Sequence, residues 1–317
     1  MALEQKVQRV VRERLDWEKE AELSLAEGDF RSTYRMSKAS FDILLRKLEP
    51  SLNGRWCGRW HKREITSACK LAATLRYLAG GSAIDIRRCF GISKRYFYKV
   101  VRKTVDAINA LDDQDLNIFF PRDHAAQMKI ADGFKRKSGH GVMSGCAGCV
   151  DGLLVQIRLP RSTETNAASK YFSGHYQMNG LNVQAMCDAL LRFTWMSCKC
   201  PGSTSDSMAF LLSSLPMLLS CLSPGLYILG DAAYSCTDVL LTPYIGVLPP
   251  GSPEDSYNFY LSQLRIRIEM AFGLLTTKWR ILRQPLEVPL NRAPKIIFAC
   301  MKLHNFCINR TLVERPG

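Results

Sequence analysis

The sequence predicts an α/β domain preceded by an all-α region, and three observations carry that reading. Apolar residues recur at helical spacing, between capping Ser and stopping Gly, as far as about residue 111. After Val142 the period changes to strand alternation. The later order is strand, strand, strand, helix, strand, long helix, which matches a ribonuclease-H-like core and leaves the strand order within the sheet open. The chain has 317 residues, 47% of them hydrophobic, enough for one large domain or two ordinary ones.

In chain order, residues 1–63 form an N-terminal helical segment. Residues 3–27 read as a solvated helix ended by Gly28, and Ser37 or Ser40 caps a second helix that stops at Pro50. The stretch from Ser51 to Arg63 reads as a loop with Arg55, Trp56, Arg59, Trp60, His61, Lys62 and Arg63, which suits either phosphate contact with stacking or a Trp-anchored loop with a basic rim. Residues 64–111 read as a helix-turn-helix. Ile65 to Leu78 is one helix, Ser82 to Cys89 a short second, Phe90-Gly91-Ile92 the turn, and Ser93 caps the third, to about Ala110. On that third helix Phe97, Val101, Val105 and Ile108 share the apolar face. Lys94, Arg95, Tyr98, Lys99, Arg102 and Lys103 lie on the others, as a recognition helix in a major groove requires, and this is favoured over an ordinary three-helix core with solvating charges.

Residues 112–144 are polar and Gly-punctuated and read as a linker. The α/β domain then spans 145–311, with strands at 146–159, 180–188 and 192–200, a turn near Ala189 to Leu191, a helix over 206–222, a short buried strand at 226–229 and one long helix within 255–282.

Charge supplies the first functional direction. The chain carries +14, with 28 basic and 18 acidic residues in 1–140 against 15 and 11 in 141–317. A basic front half suits a polyanion, because each neutralised phosphate releases counterions. No apolar run reaches a membrane span, since Met208 to Leu222 is broken by Ser213, Ser214, Pro216 and Ser220. The N-terminus lacks the apolar core of a signal peptide, so a soluble intracellular protein is expected. The twelve cysteines include a single Cys146-x-x-Cys149, while Cys300, His304 and Cys307 share a helical face. Without a second pair at finger spacing, buried thiols are favoured over structural zinc.

Only eleven acidic residues follow position 140, and three of them sit oddly. Asp151 lies inside an apolar strand, Asp231 ends a buried one, and Glu269 lies in mid-helix. An ionised carboxylate in such places is costly unless a cation or a base partners it. Mg²⁺ or Mn²⁺ would be such a cation, and two such ions support in-line displacement at phosphorus. The alternative is a salt bridge for each; Arg265, one turn from Glu269, could supply one.

Ordered motifs narrow the choice. Tyr34-Arg35-Met36-Ser37 with Phe41 and Leu44 comes first. Leu71 to Gly81 and Phe90-Gly91-Ile92-Ser93 follow, then Asp151-Gly152, Asn182-Val183-Gln184-Ala185 with Asp188, and Pro201-Gly202-Ser203 with Asp206-Ser207. Gly230-Asp231-Ala232-Ala233-Tyr234 with Leu241-Thr242-Pro243-Tyr244 comes next. Arg265, Ile268-Glu269-Met270-Ala271-Phe272-Gly273, Trp279-Arg280 and Leu303-His304-Asn305 complete the set. In these blocks the chain resembles the PIF/Harbinger family of DDE transposases over most of its length.

The resemblance implies Asp151, Asp231 and Glu269 as the catalytic, metal-binding triad, with two divalent ions, Mg²⁺ or Mn²⁺. It implies cleavage of element ends and their joining to target DNA, or else a domesticated DNA-binding descendant without transposition. Arg265, with Arg267, Lys278 and Arg280, is a candidate phosphate contact or equally a surface charge that keeps the helix soluble. Asp206, at a helix start, reads first as a cap, with a metal or DNA role open. Many relatives carry an Arg-Lys pair before the Asn-Val-Gln strand; here Tyr171 to Gln177 replaces it, and His175, Tyr176 and Lys170 could substitute. A nuclear location, a separately encoded Myb-like DNA-binding partner and a homo-oligomer are further expectations, with no membrane partner.

Overall fold

The computed structural model describes residues 12–53 and 65–314. The front of the expected first helix and most of the Trp- and Arg-bearing loop, Arg55 to Arg63, lie outside the described residues. The chain divides into two compact units, 1–111 and 112–317.

The first unit is helical: α1 Trp17–Ala26, α2 Phe30–Tyr34, α3 Lys38–Leu52, α4 Ser67–Leu78, α5 Ala83–Cys89 and α6 Lys94–Ala110. Asp16 caps α1 by accepting from the Glu18 and Lys19 amides, so the first described helix begins well inside the expected span. Trp17 stacks on Phe41 at 4.7 Å and meets Tyr34 edge-on at 5.4 Å, which fastens α1 to α2 and α3. Ser37 caps α3, as its sequence suggests, but Pro50 lies within the helix rather than ending it. Leu48 and Leu52 continue the buried stripe past Pro50, and burying them outweighs the lost N–H bond.

Around the expected turn the boundaries follow the capping residues. Ser82 and Ser93 each accept a backbone N–H of the following helix. Gly91 takes φ +61°, a left-handed conformation that glycine adopts freely, and Ile92 N donates to Arg87 O at 2.8 Å. Phe97, Val101, Val105 and Ile108 are buried on α6, leaving Lys94, Arg95, Tyr98, Arg102 and Lys103 exposed and Lys99 half-buried.

The second unit is mixed α/β. Its strands are β1 Cys146–Gln156, β2 Phe172–Ser173, β3 Met178–Cys187, β4 Phe193–Pro201, β5 Tyr227–Leu229 and β6 Leu240–Leu241. β3 lies between β1 and β4, antiparallel to both, and β2 pairs with its first residues; beyond β1 come β5 and β6, parallel to it. The mixed sheet is consistent with the expected core. Its helices are α7 His124–Lys135, α8 Asp206–Leu211, α9 Leu215–Leu219, α10 Pro253–Lys278 and α11 Ala293–Glu314.

Val150, Met186, Trp195, Phe210, Leu215, Ile228 and Leu240 form a common core with α8 and α9. α10 buries Leu261, Leu264, Ile268, Ala271 and Leu275, an i, i+3, i+7 stripe, and packs on β1 and β3. Each such Leu or Ile contributes about 2 kcal/mol on burial. Among the described residues no helix is long and apolar enough to cross a membrane.

Two elements depart from the sequence reading. The span 112–144, expected as a linker, contains α7, which buries Gln127, Ala131 and Phe134 and packs on β1. One apolar residue per turn is too thin a stripe to stand out in a polar segment. The helix expected over 206–222 is two helices. Ser213 Oγ accepts the Leu215 amide at 3.1 Å and donates to Phe210 O at 2.7 Å, and Pro216 starts α9.

Candidate active site

β1 carries Asp151 opposite Ala185 of β3. On the other side of β1, Cys149 is level with Leu229 of the parallel β5. Asp151 stands two residues further along β1 and Asp231 two residues past the end of β5, and the two lie within electrostatic reach of each other. Asp151 Oδ1 accepts the Gly152 amide at 2.8 Å, and Asp231 Oδ1 accepts the Ala233 amide at 3.0 Å. Burial holds the Asp151 carboxyl up at about 6; the Gly152 amide and Arg265 pull it down, while Asp231 and Asp206 push it higher.

Asp206 is the third acidic group here. The phenols of Tyr176 and Tyr234 are raised by burial first and then by Asp206, Asp151 and Asp231, so all three carboxylates lie within electrostatic reach of both rings. Tyr176 is exposed on the β2–β3 hairpin, edge-on to His175 at 4.7 Å. Of the residues considered as substitutes for the Arg-Lys pair, Tyr176 is thus placed at the site, while Lys170 and His175 are exposed on the same segment.

Glu269 differs. It is carried on the outer side of α10, its side chain 48% exposed, and it pairs with Arg265 at 2.7 Å. Arg265 therefore interacts with both Asp151 and Glu269. Carboxylate oxygens are the donors Mg²⁺ or Mn²⁺ prefers, so the donor chemistry fits such an ion. The grouping is looser: among the described residues no three His, Cys, Asp or Glu side chains converge closely enough to hold a metal. The sheet assembles the two aspartates and Arg265 ties up the glutamate.

Seven of the eleven described cysteines are buried. Cys146, Cys149 and Cys187 are buried, and Cys149 Sγ donates to Leu264 O at 3.3 Å, holding β1 against α10. His304 is buried against Phe193, its Nε2 2.8 Å from Leu191 O, and burial lowers its pKa to about 4.

A polar network below Asp151 is absent from the sequence reading. Buried Gln184 accepts from Tyr234 Oη at 2.7 Å and donates to Asp206 Oδ1 at 2.7 Å. Its signal is faint: Asn182 and Gln184 put two amides on one face of a buried strand.

Residues 150–305 match the family model described as DDE superfamily endonuclease. The chain is 24% identical over 308 residues to "Protein ALP1-like" of Arabidopsis thaliana, covering 90% of this chain and 73% of that one. No solved structure matches it. Over residues 150–305 the chain is therefore similar to DDE superfamily endonucleases, and the resemblance to PIF/Harbinger-type proteins read from its ordered motifs is borne out.

Proposed function

We propose that the protein is a metal-dependent DNA endonuclease of transposase type, cutting element ends and joining them to target DNA. The observation that supports this reading is the approach of Asp151, on β1, to Asp231, two residues past the end of the parallel β5, close enough to act on each other electrostatically, with burial raising the Asp151 carboxyl. Carboxylates held close without a cation repel one another, and a divalent ion relieves that cost. Asp151, Asp231 and Glu269 would hold Mg²⁺ or Mn²⁺, which supplies Lewis acidity and an activated attacking oxygen at phosphorus. The chain's own work is to fix the two aspartates through the Gly152 and Ala233 amides and to bring up Glu269 from α10. Exposed Tyr176, within electrostatic reach of the aspartates, would be open to a passing DNA strand.

DNA is the partner this reading requires. Lys94, Arg95, Tyr98, Lys99, Arg102 and Lys103 follow i, i+4 spacing on α6 and suit contact with phosphates and base edges, as the recognition helix of a helix-turn-helix. Arg265 suits a phosphate near the triad. Action on chromosomal DNA would call for a nuclear location, and a separately encoded Myb-like protein and a second copy of the chain are the partners the reading adds.

The test compares wild type with Asp231→Asn on DNA bearing element ends, in Mg²⁺ and in Mn²⁺. Nicking and joining by wild type alone support the reading; a wild-type protein that binds the DNA but cuts none of it defeats the reading. That second result would favour a domesticated DNA-binding protein, for which the Arg265–Glu269 ion pair is the specific observation.

A further inference from the structure

The glycines beside the two aspartates make room for one polar network. Gly152 follows Asp151, and a Cβ on it would run into the Asp206 carboxylate and stand 2.7 Å from Gln184 Nε2. Gly230 precedes Asp231, and a Cβ on it would stand 2.9 Å from Cδ2 of the Tyr234 ring. Tyr234 Oη donates to Gln184 Oε1 at 2.7 Å, and Gln184 Nε2 donates to Asp206 Oδ1 at 2.7 Å.

This network lies behind the Asp151 carboxylate. Asp151 shares its face of β1 with Cys149, whose Sγ donates to Leu264 O of α10. Gly152 is on the other face, across from Gln184. The Tyr234 ring is buried on that far face in one core with Val150, Met186 and Phe210. The turn after β5 joins the site to this anchor. Asp231 Oδ1 accepts the Ala233 amide at 3.0 Å, and Asp231 O accepts the Tyr234 amide at 3.3 Å. The turn therefore begins at Asp231 and ends on a side chain tied to β3.

The hydrogen bonds run in one direction. An ionised carboxylate only accepts, so Asp206 draws the amide hydrogens of Gln184 toward itself. Gln184 Nε2 also donates to Asn182 Oδ1 at 2.9 Å, and Asn182 Nδ2 donates to Asp206 Oδ1 and to Thr204 O, both at 2.9 Å. Gln184 Oε1 is left to face the phenol, which must donate. Turning the Gln184 amide over would set its oxygen against the carboxylate. Packing beside Phe210 and Leu240 asks only for a Phe ring at 234; the buried hydroxyl costs free energy that the bond to Gln184 offsets.

We propose that Tyr234, Gln184 and Asp206 are positioning residues for Asp231, a relay of oriented hydrogen bonds that locks the Asp231–Tyr234 turn from the far face of the sheet. None of the three touches the reacting atoms. The catalytic effect of the relay rests on the metal-dependent endonuclease reading; its effect on the turn does not.

Backbone ¹⁵N relaxation of the DNA-free full chain, beside steady-state nicking, is the test. Tyr234→Phe removes one hydroxyl and keeps the ring. The amides of 231–234 should fall from the rigid order parameter of about 0.85 to about 0.6, while those of β1 and β3 hold. The kcat for nicking should drop about tenfold with the KM for DNA within about twofold, since Asp231 is misplaced and no DNA contact is lost. Asp206→Asn frees the Gln184 amide to turn and should do the same, and the double variant should fall no further than the worse single one. Losses that multiply in the double variant overturn the relay, as does a 231–234 turn that stays rigid in both single variants. A raised KM with unchanged kcat overturns it too. Should Tyr234→Phe melt early, Asp206→Asn, which leaves the ring in place, decides by relaxation alone. A wild type that cuts no DNA, with the relaxation pattern as expected, defeats the endonuclease reading and leaves the relay standing.

Discussion

The sheet side and the helix side of the candidate site are built differently. On the sheet side Asp151 and Asp231 are each held by a hydrogen bond from a neighbouring backbone amide, and burial raises the Asp151 carboxyl. On the helix side Glu269 stands half in solvent, held by one ion pair to Arg265. Strands fix carboxylates through ladder geometry, whereas a helix surface fixes only the Cα and leaves a long side chain its choice of partner. The comparison teaches that one half of the site is preorganised and the other is assembled on use.

The largest expected effect separates the two halves. Asp151→Asn should abolish Mn²⁺ binding to the free chain and cut nicking by at least about a thousandfold, roughly 4 kcal/mol of barrier. Glu269→Gln should leave Mn²⁺ affinity within about twofold, yet lower nicking by about a hundredfold. Calorimetry and plasmid nicking read both quantities. Equal loss of metal binding in the two variants would break the comparison, because it would make Glu269 part of the resting site.

A second effect falls on the fold beside the site rather than on its carboxylates. His304 is buried on α11 and neutral, with burial first lowering its pKa to about 4. The unfolded chain holds the ordinary value near 6.5, so protonation favours unfolding. Stability is fully present above about 6.5, falls as pH drops toward about 4, and levels off below that, with a loss on the order of 3 kcal/mol. Melting temperature across this window, compared with His304→Gln, measures it. A wild-type curve that falls no more than that of the variant would remove His304 as the cause.

The preorganised half was the more legible in sequence, and the reasons are physical. Asp151 inside Cys149-Val150-Asp151-Gly152-Leu153 and Asp231 after a buried strand stand out because a charge in an apolar strand is costly. Capping Ser residues and Gly91 marked the helices of the first unit because those boundaries are local chemistry. The partners of Asp206 were not legible. Its start-of-helix position suggests a cap, and only the fold brings Gln184 and Gly152 beneath it. α7 and the break at Ser213 escaped for a related reason, since a thin apolar stripe and a side chain competing for backbone bonds leave weak periodic signals.

Gly152→Ala probes the sheet side without touching a charge. The added methyl meets the Asp206 carboxylate and the Gln184 amide, and neither can retreat without giving up a hydrogen bond. A stability loss of about 2 kcal/mol is expected, as for other overpacked sites. Denaturant titration checks this. A variant as stable as wild type would mean that α8 simply shifts, and that the sheet side is less rigid than its hydrogen bonds suggest.

The smallest expected effect decides what holds the helix side. Arg265 touches both halves, drawing down the Asp151 carboxyl and pairing with Glu269 at 2.7 Å. It occupies the electrostatic role that a metal would take over. In Arg265→Gln the carboxylates lose that competitor, so Mn²⁺ should bind about threefold to tenfold more tightly, a gain of at most ~1.4 kcal/mol. An exposed ion pair is worth about 1 kcal/mol or less, so the fold should be nearly unaffected. If Arg265 serves only a DNA phosphate, Mn²⁺ affinity stays put while DNA binding weakens and its salt dependence drops by about one ion. Tighter metal binding would make Arg265 the tie that keeps Glu269 apart from the aspartates until metal and DNA arrive. Weaker binding would contradict the division between a fixed sheet side and a recruited helix side, since the cation would then be supporting the metal site rather than competing with it.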